Sequence, residues 1–331
     1  MQLSIRCIAL MLALCLLSAI GSAHVPEIAG GQVTVVPDAA KSYAWYGILE
    51  TGDEVDLYLL TVGEGGEIRL SLSTPDRGTA PTLALTGPGL DSTDPLPGGI
   101  VLPDGQGSIG MPADRQAVAS YEPFTPMAIY ERAELSIRAP VTGEYSVLVS
   151  GDEGRYTLAT GYLEEFSIAE WVLVPVQVLA VRVWQGQPLL LVLLPVIGSV
   201  AAGILWFRKR TDGIRLWPGA WLLAVAGFSY IGSGILIITE MVIAGMVTGP
   251  ESTMMITVIF AALPLVLGYL MVRNAGRLIG PPSLRDRGVI LLYGILGFVF
   301  WAGVIIGPVL AIAAACMPEC PVCRRNGEKR V

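Results

Sequence analysis

The chain has 331 residues, a hydrophobic fraction of 53%, a mean hydropathy of +0.62 and a net charge of −7. So apolar a composition excludes an ordinary water-soluble globular protein and assigns part of the chain to lipid. The charge is also uneven: residues 24–186 hold 22 Asp and Glu against 8 Lys and Arg, whereas residues 187–331 hold 6 against 12. An acidic first half argues against nucleic acid as a partner. Its dispersed carboxylates read as a solubilising surface, with attraction of cations as the alternative.

Residues 1–23 read as a signal peptide. Arg6 precedes an apolar run from Ile8 to Ile20, and Gly21-Ser22-Ala23 places small residues for cleavage after Ala23. The alternative is a retained anchor, although the run is short for a full span. Cleavage would remove Cys7 and Cys15 and leave the exported domain without a cysteine, hence without a disulfide. It would also make His24, the only histidine, the mature N-terminus, where an α-amine and an imidazole offer two nitrogens to copper. Copper braces use a second histidine, which the chain lacks, so a residue incidental to the cleavage site is the plainer reading.

Residues 24–165 alternate like half-buried strands. In Glu67-Ile68-Arg69-Leu70-Ser71-Leu72 the apolar side chains all share one face, and Glu144-Tyr145-Ser146-Val147-Leu148-Val149 repeats the pattern. Residues 55–62, 133–138 and 155–162 are strand-like too, joined by turns such as Gly63-Glu64-Gly65-Gly66 and Gly151-Asp152-Glu153-Gly154. Seven or eight short strands with no capped helical stretch predict an extracytoplasmic antiparallel β-sandwich. The Gly-, Pro- and Asp-rich stretch from Thr86 to Ala119 is either a connection or a binding element.

Asp56-Leu57-Tyr58-Leu59-Leu60-Thr61-Val62, with its following turn and residues 68–72, is similar to the opening of bacterial pre-peptidase C-terminal domains. Pro81-Thr82-Leu83-Ala84-Leu85 and residues 139–147 resemble the later strands of those domains. This resemblance spans roughly residues 42–162 and implies a jelly-roll-like sandwich with a binding or accessory role. The whole chain resembles a family of uncharacterised archaeal multi-pass membrane proteins. That likeness rests on Ala23-His24-Val25-Pro26, Lys41-Ser42-Tyr43-Ala44-Trp45-Tyr46-Gly47, Tyr121-Glu122-Pro123-Phe124-Thr125-Pro126 and Gly161-Tyr162-Leu163-Glu164-Glu165-Phe166. It implies no particular activity.

Residues 166–186 are apolar but carry Glu170, Gln177 and Arg182, with Trp171 and Trp184 near the ends; an interfacial amphipathic helix is favoured over a further span. Residues 187–315 predict a four-helix transmembrane bundle with spans at 187–207, 217–247, 253–272 and 288–315. Pro195, Pro264 and Pro308 are expected to kink these spans. An exported N-terminal domain puts Arg208, Lys209, Arg210, Arg215, Arg273, Arg277, Arg285 and Arg287 inside, as the positive-inside rule requires. Four crossings, however, leave the basic tail (residues 316–331, with Arg324, Arg325, Lys329 and Arg330) outside, against the same rule.

Three groups of residues stand out in this half. Cys316, Cys320 and Cys323 form one knuckle of a zinc site without a second; a disulfide or inert thiols is the favoured reading and zinc the alternative. Ser229, Ser233 and Glu240 fall on one helical face, which predicts either helix packing or an intramembrane polar path for ions. Gly303 and Gly307 match a close-packing motif, expected to act within the bundle. No Walker loop, H-E-x-x-H or strand-linked G-x-G-x-x-G occurs, and one histidine leaves little for a triad. The expectation is therefore a non-catalytic binding or accessory module at the cell membrane, its ligand a protein, a glycan or a cation met by the loops between Thr86 and Tyr121. Transport or signalling through the bundle and copper handling at His24 are the alternatives.

Overall fold

The computed structural model describes residues 24–92 and 102–318. The expected signal peptide, residues 93–101 of the long loop, Cys320, Cys323 and the basic tail lie outside the described residues. The chain divides into two compact units, one of residues 24–187 with 243–251, the other of the remaining described residues from Pro188.

The first unit is a two-sheet β domain. Among the described residues it has eleven strands, which alternate between the sheets except for the pairs β6–β7 and β8–β9, each within one sheet: β1 (Val25–Ile28), β2 (Val33–Val35), β3 (Tyr43–Leu49), β4 (Val55–Val62), β5 (Glu67–Thr74), β6 (Thr82–Pro88), β7 (Gln106–Met111), β8 (Ala119–Glu122), β9 (Met127–Arg138), β10 (Gly143–Ser150) and β11 (Gly154–Thr160). One sheet has the order β1-β3-β11-β5-β9-β8 and the other β2-β4-β10-β6-β7. This interleaving is of the jelly-roll kind. Inward-facing Trp45, Leu49, Ile68, Leu70, Leu72 and Leu158 of the first sheet pack on Tyr58, Leu60, Leu83, Leu85, Val147 and Val149 of the second.

The sheets are mixed, which corrects the expectation of a purely antiparallel sandwich. β1 pairs with β3, and β2 with β4, in parallel register. The cause is topological. A chain that leaves one sheet for the other and then returns has reversed twice, so it re-enters running in its original direction.

Residues expected to form an interfacial amphipathic helix do form a helix, and one side of it closes the back of the first sheet. Helix α1 (Ile168–Trp184) opens with a capping box: the Ser167 hydroxyl accepts the Glu170 N–H at 3.2 Å, and the Glu170 carboxylate accepts the Ser167 N–H at 2.7 Å. Glu170 also receives Lys41 at 2.7 Å, and the Trp184 indole donates to the Gly47 carbonyl at 3.0 Å. Val181 and Trp184 bury against Ala44, Tyr46 and Met127. Strand β3 is thus covered on both faces, which explains its unbroken apolar run. The opposite side of α1 exposes Ile168, Leu173, Val176 and Val183.

The second unit is helical: α2 (Leu189–Val192), α3 (Leu194–Arg210), α4 (Pro218–Thr248, up to Val242 in this unit), α5 (Met254–Ala275), α6 (Leu284–Val299) and α7 (Ile306–Cys316). Helices α4 and α5, of 31 and 22 residues, are long and apolar enough to cross a bilayer. They approach closely where Gly227 meets Gly268, each glycine Cα lying against the other's carbonyl oxygen. Of the prolines expected to kink spans, only Pro264 is in a helix interior; Pro195 and Pro308 fall in first turns, where no helical hydrogen bond is lost.

The expected single span over 288–315 is broken. Residues 300–305 leave the helix, with positive φ at Trp301, Gly303, Val304 and Ile305. Beyond them α7 turns back along α6: Gly294 abuts Ile312, Gly297 abuts Pro308, and Arg287 at the start of α6 donates to the carbonyls of Ala315 and Met317 at 2.8 and 2.7 Å. That guanidinium caps the C-terminal end of α7, a site that favours a cation. Tyr230 of α4 wedges against Gly297, Gly303 and Gly307 and donates its hydroxyl to the Tyr293 carbonyl at 2.9 Å. The Gly303/Gly307 notch therefore receives an aromatic ring from its own bundle. At the bend, the Gly303 N–H donates to the Ser233 hydroxyl at 2.9 Å. Replacing Ser233 by Ala removes that acceptor in an apolar setting, and we expect a loss of about 1–3 kcal/mol. A depressed thermal midpoint in detergent, restored by Ser233→Thr, checks this; an unchanged midpoint would refute the role given to Ser233.

Candidate functional site at the loop end of the β domain

The turns β3–β4, β5–β6 and β10–β11 converge at one end of the sandwich. They surround an open cleft of about 680 Å³ lined by Gly52, Gly78, Gly151, Asp152 and Glu153. Two arginines organise it. Arg115, from the long loop, reaches Asp152 with two N–H groups at 2.8 and 3.1 Å, and the Ala80 N–H adds a third donor at 3.2 Å. The guanidinium, bound face to face, holds the Asp152 carboxyl below the usual carboxylate range.

Arg132 is the second organiser, and it is buried. The pairing of β5 with β9 shifts between Leu72↔Ala133 and Ser73↔Glu131, so Arg132 is the extra residue of a β-bulge and turns inward. Its guanidinium donates to the Thr74 hydroxyl at 2.9 Å and to the carbonyls of Asp114 at 2.8 Å, Asp76 at 3.1 Å and Arg77 at 2.8 Å, and lies 5.2 Å from the Tyr130 ring centre. One side chain thus ties the β5–β6 turn to the end of the long loop, bonding only neutral groups. Sequence reasoning passed over Arg132. The available signal was a basic residue interrupting the inward positions between Tyr130 and Ala133.

Deeper in the same domain lies a polar chain. Tyr156 donates to the Asp56 carboxylate at 2.5 Å, and Tyr58 donates to the Tyr156 oxygen at 2.8 Å. All three residues are buried. Burial pushes the Asp56 carboxyl above its ordinary range, while the Tyr156 bond pulls it partly back. Every proton here has an acceptor, so the chain acts as a locked structural network rather than a vacant site.

The sequence-derived candidates do not gather at this cleft. His24 sits at the start of β1, its Nδ1 against the Ser42 hydroxyl, and burial lowers its basicity. Nδ1 is the nitrogen that a chelate with the α-amine needs, so copper would have to displace Ser42. Among the described residues no group of three or more His, Cys, Asp or Glu side chains is placed to hold a metal; Cys316 is exposed, and its expected partners Cys320 and Cys323 lie outside the described residues. Ser229 donates to the Val225 carbonyl at 3.0 Å and Ser233 to the Tyr230 carbonyl at 2.8 Å. Both hydroxyls thereby serve backbone, and Glu240 is buried on the same helix. Of the expected contact loops between Thr86 and Tyr121, the cleft recruits Arg115. No family model matches the chain, and no curated protein matches it.

The Asp56 network yields a pH prediction. A carboxyl that binds its proton more tightly in the folded state than in the unfolded chain withdraws stability as pH rises from the ordinary carboxylate value, near 3.9, to its raised value. Tyr156→Phe removes the bond that moderates this rise. The variant should be destabilised at both pH values, since Tyr58 also loses its acceptor, and its deficit should be about 1–3 kcal/mol larger at pH 7 than near pH 3. Unfolding of a fragment of residues 24–187, followed at both pH values, checks the sign; a deficit that shrinks as pH rises would be incompatible with it.

Proposed function

We propose that the protein is a membrane-anchored binding module, whose β domain presents its loop-end cleft to a protein or glycan ligand outside the cell. The observation that carries this reading is Arg132, a buried cation fixing two otherwise independent loops into a preformed surface. Ordering loops before a ligand arrives lowers the entropic cost of binding, and recognition by loops on a rigid sandwich is a common use of such scaffolds. The acidic balance of the domain favours ligands with cationic or polar faces.

In this reading α2 and α3 together (residues 189–210, about 33 Å at 1.5 Å per residue), α4 and α5 cross the bilayer and the α6–α7 hairpin enters and returns without crossing. At 1.5 Å per residue α6 is about 24 Å long and α7 about 17 Å, each short of a hydrocarbon core of about 30 Å. A returning hairpin places the tail on the same side as Arg208–Arg210 and Arg273–Arg287. All twelve basic residues beyond position 187 then lie inside, and the conflict created by four crossings disappears. The exposed apolar side of α1 suits the outer membrane interface.

Two measurements test the two halves of this reading. Arg115→Glu places a carboxylate against Asp152, so a fragment of residues 24–187 carrying it should lose at least tenfold in retention of the glycan or envelope protein held by wild type, with unchanged circular dichroism. Equal retention would move the binding surface elsewhere. For topology, a variant keeping Cys316 as its sole cysteine should react with a membrane-impermeant maleimide only after cells are permeabilised. Labelling in intact cells would restore a fourth crossing.

A further inference from the structure

A second cavity lies in the helical unit, where α3 and α5 end. Its volume is about 710 Å³, and its lining includes Trp206, Arg210, Ile214, Tyr269, Arg273 and Arg277. Three arginines line it, with no acidic side chain in the wall. Among the described residues none of the three arginines belongs to an ion pair. Arg287, by contrast, is occupied in capping α7. Arg210 lies 5.3 Å from the Trp206 ring centre, which fixes its guanidinium at the cavity edge. Arg273 lies in the last turn of α5 and Arg277 just beyond its C-cap at Gly276, and both line this cavity. Both helices bring their C-terminal ends to the cavity, and those ends oppose an anion with about half a negative charge each; three full positive charges outweigh them.

We propose that this cavity seats the phosphate of an anionic phospholipid. The lining alternates guanidinium with aromatic and aliphatic surface, and Trp206, Ile214 and Tyr269 are all exposed. Trp and Tyr beside Arg at the end of apolar helices are suited to the depth at which headgroups sit. Basic pockets between helices on the inner face bind acidic headgroups by this chemistry. A free phosphate would satisfy the arginines but leave the apolar wall in water; a phospholipid uses both. The inference rests on the membrane reading above, and its test separates the two.

Full-length protein in nanodiscs of phosphatidylcholine, doped with increasing phosphatidylglycerol, is examined for saturable lipid retention by native mass spectrometry after release into detergent. We expect one anionic lipid retained at low mole fraction and at least tenfold weaker retention in the Arg210→Gln/Arg273→Gln/Arg277→Gln variant. Arg208→Gln/Lys209→Gln, which alters charges next to the cavity but outside its lining, should retain lipid as wild type does. Competition by inorganic phosphate at millimolar concentration, with no preference among lipids, would support the phosphate-binding chemistry and assign it to a soluble ligand. Retention indifferent to headgroup and to phosphate, or equal loss in both variants, would overturn the proposal. Alkaline carbonate extraction of membranes provides the separate control: release of the protein refutes the membrane reading itself, whereas an inserted protein without lipid preference refutes only the pocket.

Discussion

A polar group removed from water must find a partner within the protein, and much of what is particular to this chain answers that requirement. In the β domain, the sheets satisfy most backbone groups. Two cases beyond the ladders are the bulge at Arg132, whose guanidinium serves the carbonyls of Asp76, Arg77 and Asp114, and the core pair Tyr58 and Tyr156, whose hydroxyls lead to Asp56. In the helical unit, the membrane reading proposed above makes the constraint harsher, because lipid supplies no donors or acceptors. The bend over residues 300–305 is tolerable because Ser233 takes the Gly303 N–H and Arg287 takes the last carbonyls of α7.

The same accounting explains which features were legible in the sequence. Strands such as β5 and β10 announce themselves because one face meets the core and the other meets water, so polarity alternates along the chain. Strand β3 shows a continuous apolar run instead, since the sandwich covers one face and α1 the other. Periodicity cannot reveal which partner covers the second face, and so the packing of α1 on β3 was not legible in the sequence. The parallel pairing of β1 and β2 was equally hidden, because it follows from how the chain shuttles between sheets rather than from any residue.

The loop-end cleft was half legible. The stretch after Thr86 was marked by composition, yet nothing in composition shows that Arg115 reaches Asp152, 37 residues later. Arg132 is a clearer lesson. A charged residue at an inward strand position is either an error of register or a bulge serving buried acceptors. Its neighbours Glu131 and Glu134 continue the outward polar face on either side, which was the local sign that one residue had been inserted.

In the proposed membrane reading, the broken segment at 300–305 carries the largest consequence, because the number of crossings sets the side of everything that follows. Hydropathy sums over residues 288–315 see one apolar stretch, and length alone counts it as a span. The interruption is written in small residues, Gly294, Gly297, Gly303 and Gly307, which let α7 and the Tyr230 ring approach the α6 backbone. A single helix would leave those notches facing lipid and would carry Ala315 and Met317 far from Arg287. Folding back instead joins a cation to the carbonyl end that needs it and shortens both helices below the thickness of the bilayer. Local packing and the distribution of basic residues thus favour the same arrangement, although they are independent quantities: one is read from contacts between α6 and α7, the other from charges beyond them.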